Sequence, residues 1–235
     1  MSPRTNIIVK NNNLDSTEDE KIDIESKQYN DLLKIYEIAM IQVTDTMNGI
    51  KERINRMYGY TIIEKVDSRV KSKTSITNKL KKKGISPTYK ALVDNIDDIA
   101  GVRIVCPLKD DIFFIKQIIQ NMPNLKVIEE KDYIYNPKKS GYSAYHMIVE
   151  TPVNINNETV IMKVEIQIRT TAMDFWAEME HDIRYKSKKQ MSFLDSKRLT
   201  LYAKTLEVMQ SKLVKLYRKQ GNNNMYYTYN MDVYC

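Results

Sequence analysis

Six glycines in 235 residues (Gly49, Gly59, Gly84, Gly101, Gly141 and Gly221) are too scattered to form a phosphate-cradling loop. They make neither a Gly-x-Gly-x-x-Gly fingerprint nor a P-loop, so any bound polyphosphate must be held by side chains. Cysteine is scarcer still. Cys106 falls in an apolar stretch and Cys235 is the last residue, which argues against a disulfide framework or a zinc site. His146 and His181 are the only histidines, too few for a structural metal cluster. No apolar run approaches the ~18 residues that cross a bilayer. Met1-Ser2-Pro3-Arg4-Thr5 also lacks the apolar core of a secretory signal, so the expectation is a cytoplasmic protein without a membrane partner.

What the chain does carry is positive charge. A net charge of +7 and a pI of about 9.1 point to anionic partners: nucleotides, nucleic acid or acidic membranes. Hydrophobic residues at 42% and charged residues at 29% are the balance of a globular protein, long enough for one large domain or one domain with helical appendages.

The most informative stretch is Lys163-Val164-Glu165-Ile166-Gln167-Ile168-Arg169-Thr170. Its alternation puts Val164, Ile166 and Ile168 on one side of a strand and Glu165, Gln167 and Arg169 on the other. At ~3.3 Å per residue, those polar side chains stand about 7 Å apart. A second acidic point, Asp97-Asp98, leads into another alternating strand with its own outward Arg103. Two carboxylates and two arginines on neighbouring strands suit a site that handles a metal and phosphates.

Along the chain, residues 1–25 read as a polar, then acidic, loosely attached arm. A helical spacing follows from Tyr29 through Leu33, Tyr36, Met40, Val43, Met47, Ile50 and Ile54 to Met57. Arg69 and Lys71 then lie in an extended basic segment. It feeds a helix started by Ser72 or Thr74 and closed by Gly84, with Ser75 and Lys79 one turn apart on one face. A short helix is expected at Tyr89–Asn95, a strand ahead of Pro107, a helix over Asp110–Gln120 and a strand over Leu125–Glu129. Tyr133–Tyr142 reads as a loop. Tyr145–Glu150 and Val160–Arg169 read as strands joined by a turn over Asn154–Glu158, and Thr170 or Thr171 caps the next helix. The fold class is α/β (α+β), a mixed sheet flanked by helices. Residues 26–190 form its domain, 191–220 a C-terminal helix and 221–235 a tail. Leu199, Tyr202, Leu206, Met209, Leu213 and Leu216 repeat with coiled-coil spacing, a seam for another subunit or for the chain's own domain.

Four segments, in order, resemble the synthetase domain of the RelA/SpoT homologues in its short form, the small alarmone synthetases of the RelQ type. They are Arg69-Val70-Lys71 with Ser75 and Lys79, then Asp98-Ile99-Ala100-Gly101-Val102-Arg103-Ile104. Lys139-Ser140-Gly141-Tyr142-Ser143-Ala144-Tyr145-His146 and Glu165-Ile166-Gln167-Ile168-Arg169-Thr170 complete the set. The resemblance implies a nucleotidyltransferase-like sheet and transfer of pyrophosphate from ATP to the ribose 3′-hydroxyl of GDP or GTP. By similarity Asp98 and Glu165 hold Mg²⁺, and Glu165 takes the hydroxyl proton unless the metal acidifies that hydroxyl instead. Arg69 and Arg103 sandwich adenine, and Lys71, Ser75 and Lys79 clasp the ATP phosphates. Tyr142 stacks on guanine, with Gly141 turning the loop so that the ring is presented. Lys139, His146 and Gln167 contact the acceptor's phosphates and ribose. Asp174 can accept from guanine N1–H and N2, or simply sit in the first turn of its helix.

Departures matter as well. Lys131 stands where relatives often carry arginine, and Ser143 and Ala144 leave the acceptor (GDP, GTP or GMP) open. Relatives of this type are tetramers; their regulatory cleft is not carried over, because Lys65-Val66-Asp67 matches poorly. His181-Asp182 is isolated, so no alarmone hydrolase is expected. The alternatives are a pyrophosphokinase acting on tRNA 3′ ends, or an RNA-binding regulator using the Lys-rich helix and Tyr-rich tail.

Overall fold

A computed structural model of the chain describes residues 27–59, 61–86, 88–186 and 192–219. The expected N-terminal arm and C-terminal tail lie outside these residues.

Helix α1 (Lys27–Tyr58) opens the described fold, followed by β1 (Lys65–Val70), α2 (Lys73–Lys82) and α3 (Tyr89–Asn95). Then come β2 (Ala100–Cys106), α4 (Lys109–Gln120), β3 (Lys126–Asp132), β4 (Tyr145–Ile155) and β5 (Glu158–Thr170). Helix α5 (Thr171–His181) runs into a π-helical turn at Asp182–Lys186, and α6 (Phe193–Lys219) ends the described chain. The strands form one mixed sheet, in the order β1-β2-β5-β4-β3, in which only β2 and β5 run parallel.

Burial fixes the register. Val164, Ile166 and Ile168 are 0% exposed, as are Ile104, Met147 and Val149 on the neighbouring strands. Each such side chain stabilises by about 1.5–3 kcal/mol, and a slip of one residue would drive Glu165 and Gln167 into that layer. Helix α1 covers it with Leu32, Tyr36, Val43, Met47 and Ile54, and α4 with Ile112, Ile115 and Ile119. The buried stripe of α1 therefore uses Leu32 rather than Leu33, while Met57 is 51% exposed.

Local chemistry sets the ends of the elements. The Ser72 hydroxyl accepts from the Ser75 N–H at the start of α2, and Thr170 does the same for Met173 at the start of α5. The β4–β5 turn is tighter than the expected Asn154–Glu158 loop. Asn156 and Asn157 take φ of 51° and 65°, which asparagine tolerates, so the ladder continues to Ile155 opposite Glu158. Strand β4 also runs past Glu150, and Pro152 is tolerated there because β3 starts at Lys126, opposite Glu150, and leaves the rest of β4 an edge.

Candidate active site

The sheet's second face is polar, and strand pairing aligns it in rows. Asp67, Arg103, Gln167, His146 and Lys131 form one row across β1, β2, β5, β4 and β3. The next row holds Arg69, Gly101, Glu165, Ile148 and Glu129. Gly101 puts a gap between Arg69 and Glu165, and there a cleft of about 240 Å³ opens, lined also by Lys71, Asp98, Arg103 and Gln167. Six of the residues expected to bind or react therefore share one chamber.

At one wall, Asp98 is held by two ammonium groups. Lys71 Nζ lies 2.5 Å from Oδ2 and Lys79 Nζ 2.8 Å from Oδ1. Burial alone would push this carboxyl up, but the hydrogen bonds and charges of the lysines outweigh it and hold Asp98 below the usual carboxylate range. Glu165 obeys the same balance. Burial raises its pKa; the hydrogen bonds from His146 (2.9 Å, to Oε1) and Gln167 (2.6 Å, to Oε2), with the His146 charge, bring it below normal against the nearby charge of Asp98. Both groups are ionised at neutral pH.

These two carboxylates are the candidate metal ligands. Among the described residues no group of three or more His, Cys, Asp or Glu side chains could cage an ion. The donor set instead fits Mg²⁺ arriving with a polyphosphate, since that ion commonly takes one or two carboxylates and completes its shell with phosphate and water. A carboxylate offers about four acceptor positions, so the two bonds on Glu165 leave room for a hydroxyl or a metal.

Away from the cleft the site becomes a network. The Tyr142 hydroxyl lies 2.7 Å from His146 Nε2 and accepts from Arg169 Nη2 at 2.8 Å. Arg169 and Arg103 both reach Asp174 Oδ1, at 3.1 and 3.2 Å, and Arg103 also lies 3.4 Å from Glu178. Three expectations change here. Arg169 lies on the polar face with Glu165 and Gln167, as expected, but is only 5% exposed, beneath α5 and the 133–144 loop. Tyr142 is not freely presented: it is half-buried, its hydroxyl is engaged, and Lys138 Nζ sits 4.6 Å from its ring centroid. Asp174 meets two guanidinium groups, so a guanine would compete with arginines for the same oxygen.

Six expected residues stand outside the cleft lining: Lys79, Tyr142, His146 and Asp174, placed above, and Ser75 and Lys139. Ser75 is exposed in the first turn of α2, with its hydroxyl 2.9 Å from that of Ser72. Lys139 is exposed, and its carbonyl accepts from Thr200 of α6 at 3.3 Å. That contact belongs to a clamp. A Cβ on Gly141, whose φ is +92°, would come within 2.7 Å of Ala203 Cβ, and Trp176 Nε1 donates to the Leu199 carbonyl at 3.3 Å. The seam of α6 is accordingly divided: Leu199 is buried on the domain, whereas Tyr202, Met209, Leu213 and Leu216 are 55–60% exposed. Arg169 and Lys138 went unassigned in the sequence. Arg169 carried a signal, as third in the Glu-x-Gln-x-Arg row; Lys138 carried none beyond lying next to Lys139.

Similarity to known proteins agrees with this geometry. Residues 68–190 match the region found in RelA/SpoT proteins. The GTP pyrophosphokinase YwaC of Bacillus subtilis is 44% identical over 157 residues, covering 67% of this chain and 74% of that protein. GTP pyrophosphokinase YjbM of the same organism is 36% identical over 163 residues, covering 69% and 76%. Among solved structures, small alarmone synthetase 1 of Bacillus subtilis bound to its product pppGpp superposes with a TM-score of 0.77 at 30% identity, covering 84% of this chain and 100% of that one. Small alarmone synthetase 2 of that organism gives 0.74 at 35%, covering 82% and 100%. A match that takes in just over half of the chain and every strand but the first residues of β1 leads to one conclusion: the chain belongs to the RelA/SpoT family.

Proposed function

We propose that this protein is a GTP/GDP pyrophosphokinase that moves the terminal pyrophosphoryl group of ATP to the 3′-hydroxyl of GDP or GTP. It releases AMP and forms guanosine tetra- or pentaphosphate. The observation that carries this reading is the single cleft lined by Arg69, Lys71, Asp98, Arg103, Glu165 and Gln167, in a chain so similar to GTP pyrophosphokinases.

In this reading Arg69 and Arg103, on adjacent strands, take the adenine between their guanidinium planes, a role for which lysine is unsuited. Lys71 and Lys79, with Ser75 at the helix start, turn to the triphosphate and supply cations where charge builds on the phosphoryl oxygens. Glu165, ionised and held at both oxygens, orients the attacking hydroxyl and accepts its proton. Mg²⁺ would be held by Asp98 and Glu165 and would supply further charge neutralisation there. Tyr142, His146, Gln167, Asp174 and Lys139 serve the guanine nucleotide, which must displace Lys138 from the Tyr142 ring to stack there. Incubation with ATP, GDP and Mg²⁺ should give AMP and guanosine tetraphosphate in equal amounts, and chelation should stop both. A folded protein that releases no AMP with GDP or GTP would refute the reading.

Gly101 offers a direct check that chemistry occurs in this cleft. A Cβ there meets only backbone oxygens of Arg69 and Glu165, at 3.8 and 4.0 Å, so a side chain is tolerated by the sheet but intrudes between donor and base. Gly101→Leu should leave melting unchanged and cut turnover on the order of 10²-fold, the usual cost of misplacing reactants by about an ångström. Turnover like the wild type's would move the reaction elsewhere.

Assembly is part of the same reading. The exposed half of the α6 seam joins copies of this chain, with a tetramer favoured. Apolar side chains over half exposed at Tyr202, Met209, Leu213 and Leu216 need such cover. Met209→Glu with Leu213→Glu should reduce the mass seen by light scattering; an unchanged mass removes the seam from the interface. Among the described residues no helix is long and apolar enough to cross a membrane.

A further inference from the structure

Arg169 neither lines the cleft nor bonds to Glu165, yet its contacts lead to both oxygens of that carboxylate. Its Nη2 donates to the Tyr142 hydroxyl at 2.8 Å and to Gln167 Oε1 at 2.7 Å. A guanidinium nitrogen of this kind carries two hydrogens, so both bonds are satisfied at once. Along one arm, the Gln167 amide passes the direction on, its Nε2 donating to Glu165 Oε2 at 2.6 Å. Along the other, Tyr142 lies 2.7 Å from His146 Nε2, and His146 Nδ1 lies 2.9 Å from Glu165 Oε1.

The partners suggest the donor and acceptor roles. A carboxylate only accepts, so His146 Nδ1 carries the hydrogen. With Nδ1 donating, the Tyr142 hydroxyl, already accepting from Arg169, has its own hydrogen to give to His146 Nε2. Both arms then run the same way, from one arginine nitrogen to the two oxygens of one carboxylate. Arg169 is itself anchored by Asp174 through Nη1 at 3.1 Å and lies over the Tyr142 ring, 5.1 Å from its centroid. Among the described residues its buried Nε has no hydrogen-bond partner.

We propose that Arg169 is a positioning residue for Glu165, setting its orientation and the tautomer of His146 through two converging hydrogen-bonded chains. The guanine-binding tyrosine is a link in one chain, so occupancy of the acceptor site is felt at the base. The role rests on the pyrophosphokinase reading for its effect on turnover, but the tautomer does not.

The tests use the full chain. Arg169→Lys keeps a charge against Asp174 and loses the two-pronged donor. It should fold with an unchanged far-ultraviolet spectrum, lower kcat by roughly 10–100-fold, as is usual for groups that orient a ligating or reacting side chain, and change the KM for ATP less than about threefold. In a Glu165→Gln background the same substitution should cost less than about threefold more, because its path ends at Glu165. With only two histidines in the chain, the ring ¹⁵N shifts of His146 are readily assigned above the imidazole range. They should show the hydrogen on Nδ1 in the wild type and a mixture in Arg169→Lys. A wild-type kcat in Arg169→Lys, a fully multiplicative loss with Glu165→Gln, or a wild-type hydrogen on Nε2 would each overturn the proposal. An inactive wild type with the hydrogen on Nδ1 would remove the pyrophosphokinase reading and leave the positioning of Glu165 standing.

Discussion

Replacing Glu165 by Gln should lower turnover by at least ~10²-fold, the usual order for a positioned acid–base or metal group. The substitution keeps the shape and removes the charge, but its effect goes further. Both oxygens of Glu165 now accept, from His146 and from Gln167. An amide in their place points its NH₂ at one of those donors, so one bond becomes a clash of hydrogens. Substrate binding should suffer less, since in the proposed reading Arg69, Arg103, Lys71 and Lys79 hold the donor nucleotide. The measurement is AMP release under saturating ATP and GDP, with melting followed alongside. Near-normal turnover would remove Glu165 from the chemistry.

The second large effect is expected at Gly141. Its φ of +92° disfavours any L side chain, and the added methyl would lie 2.7 Å from Ala203 Cβ, short of any real contact. The backbone strain is on the order of 1–2 kcal/mol, and overpacking adds about 1–3 kcal/mol. Strain of that size is relieved where the clamp is weakest, at the single Thr200–Lys139 hydrogen bond, rather than in the sheet. Gly141→Ala should therefore leave the core intact, loosen the 137–143 loop from α6, and raise the acceptor KM by at least ~10-fold, equivalent to about 1.4 kcal/mol of binding. Adding Ala203→Gly removes the collision but not the φ penalty, so recovery should be partial. An unchanged acceptor KM in the single variant would show that the loop's seat on α6 does not matter.

How far the residues announced this arrangement depends on the distance over which each signal acts. Strand β5 and its neighbour β2 were legible because period-two alternation is local and strong. The caps at Ser72 and Thr170 were legible for the same reason, although each had a rival one or two residues on. The cleft could be anticipated only through the four segments taken together, since nothing in Arg69 alone says it will lie one glycine away from Glu165. Spacing could not reveal the loop packed beneath α6, nor Arg169 drawn under α5, because both depend on contacts between elements far apart in the chain. Tyr142 shows the limit well. Its neighbour Gly141 signalled a turn, correctly, but the same glycine also admits Ala203, and that second purpose is invisible until the helix is in place.

The lysines on Asp98 have a consequence for how the site fills. With an ammonium group within 2.8 Å of each oxygen, a divalent ion arriving alone meets two positive charges beside its ligand. A triphosphate without its ion would draw those cations off and strand a half-buried negative charge. Neither gains on its own; together they exchange partners and every charge is answered. Loading should thus be mutually dependent, with the metal complex of ATP as the species that enters and the bare components held at bay.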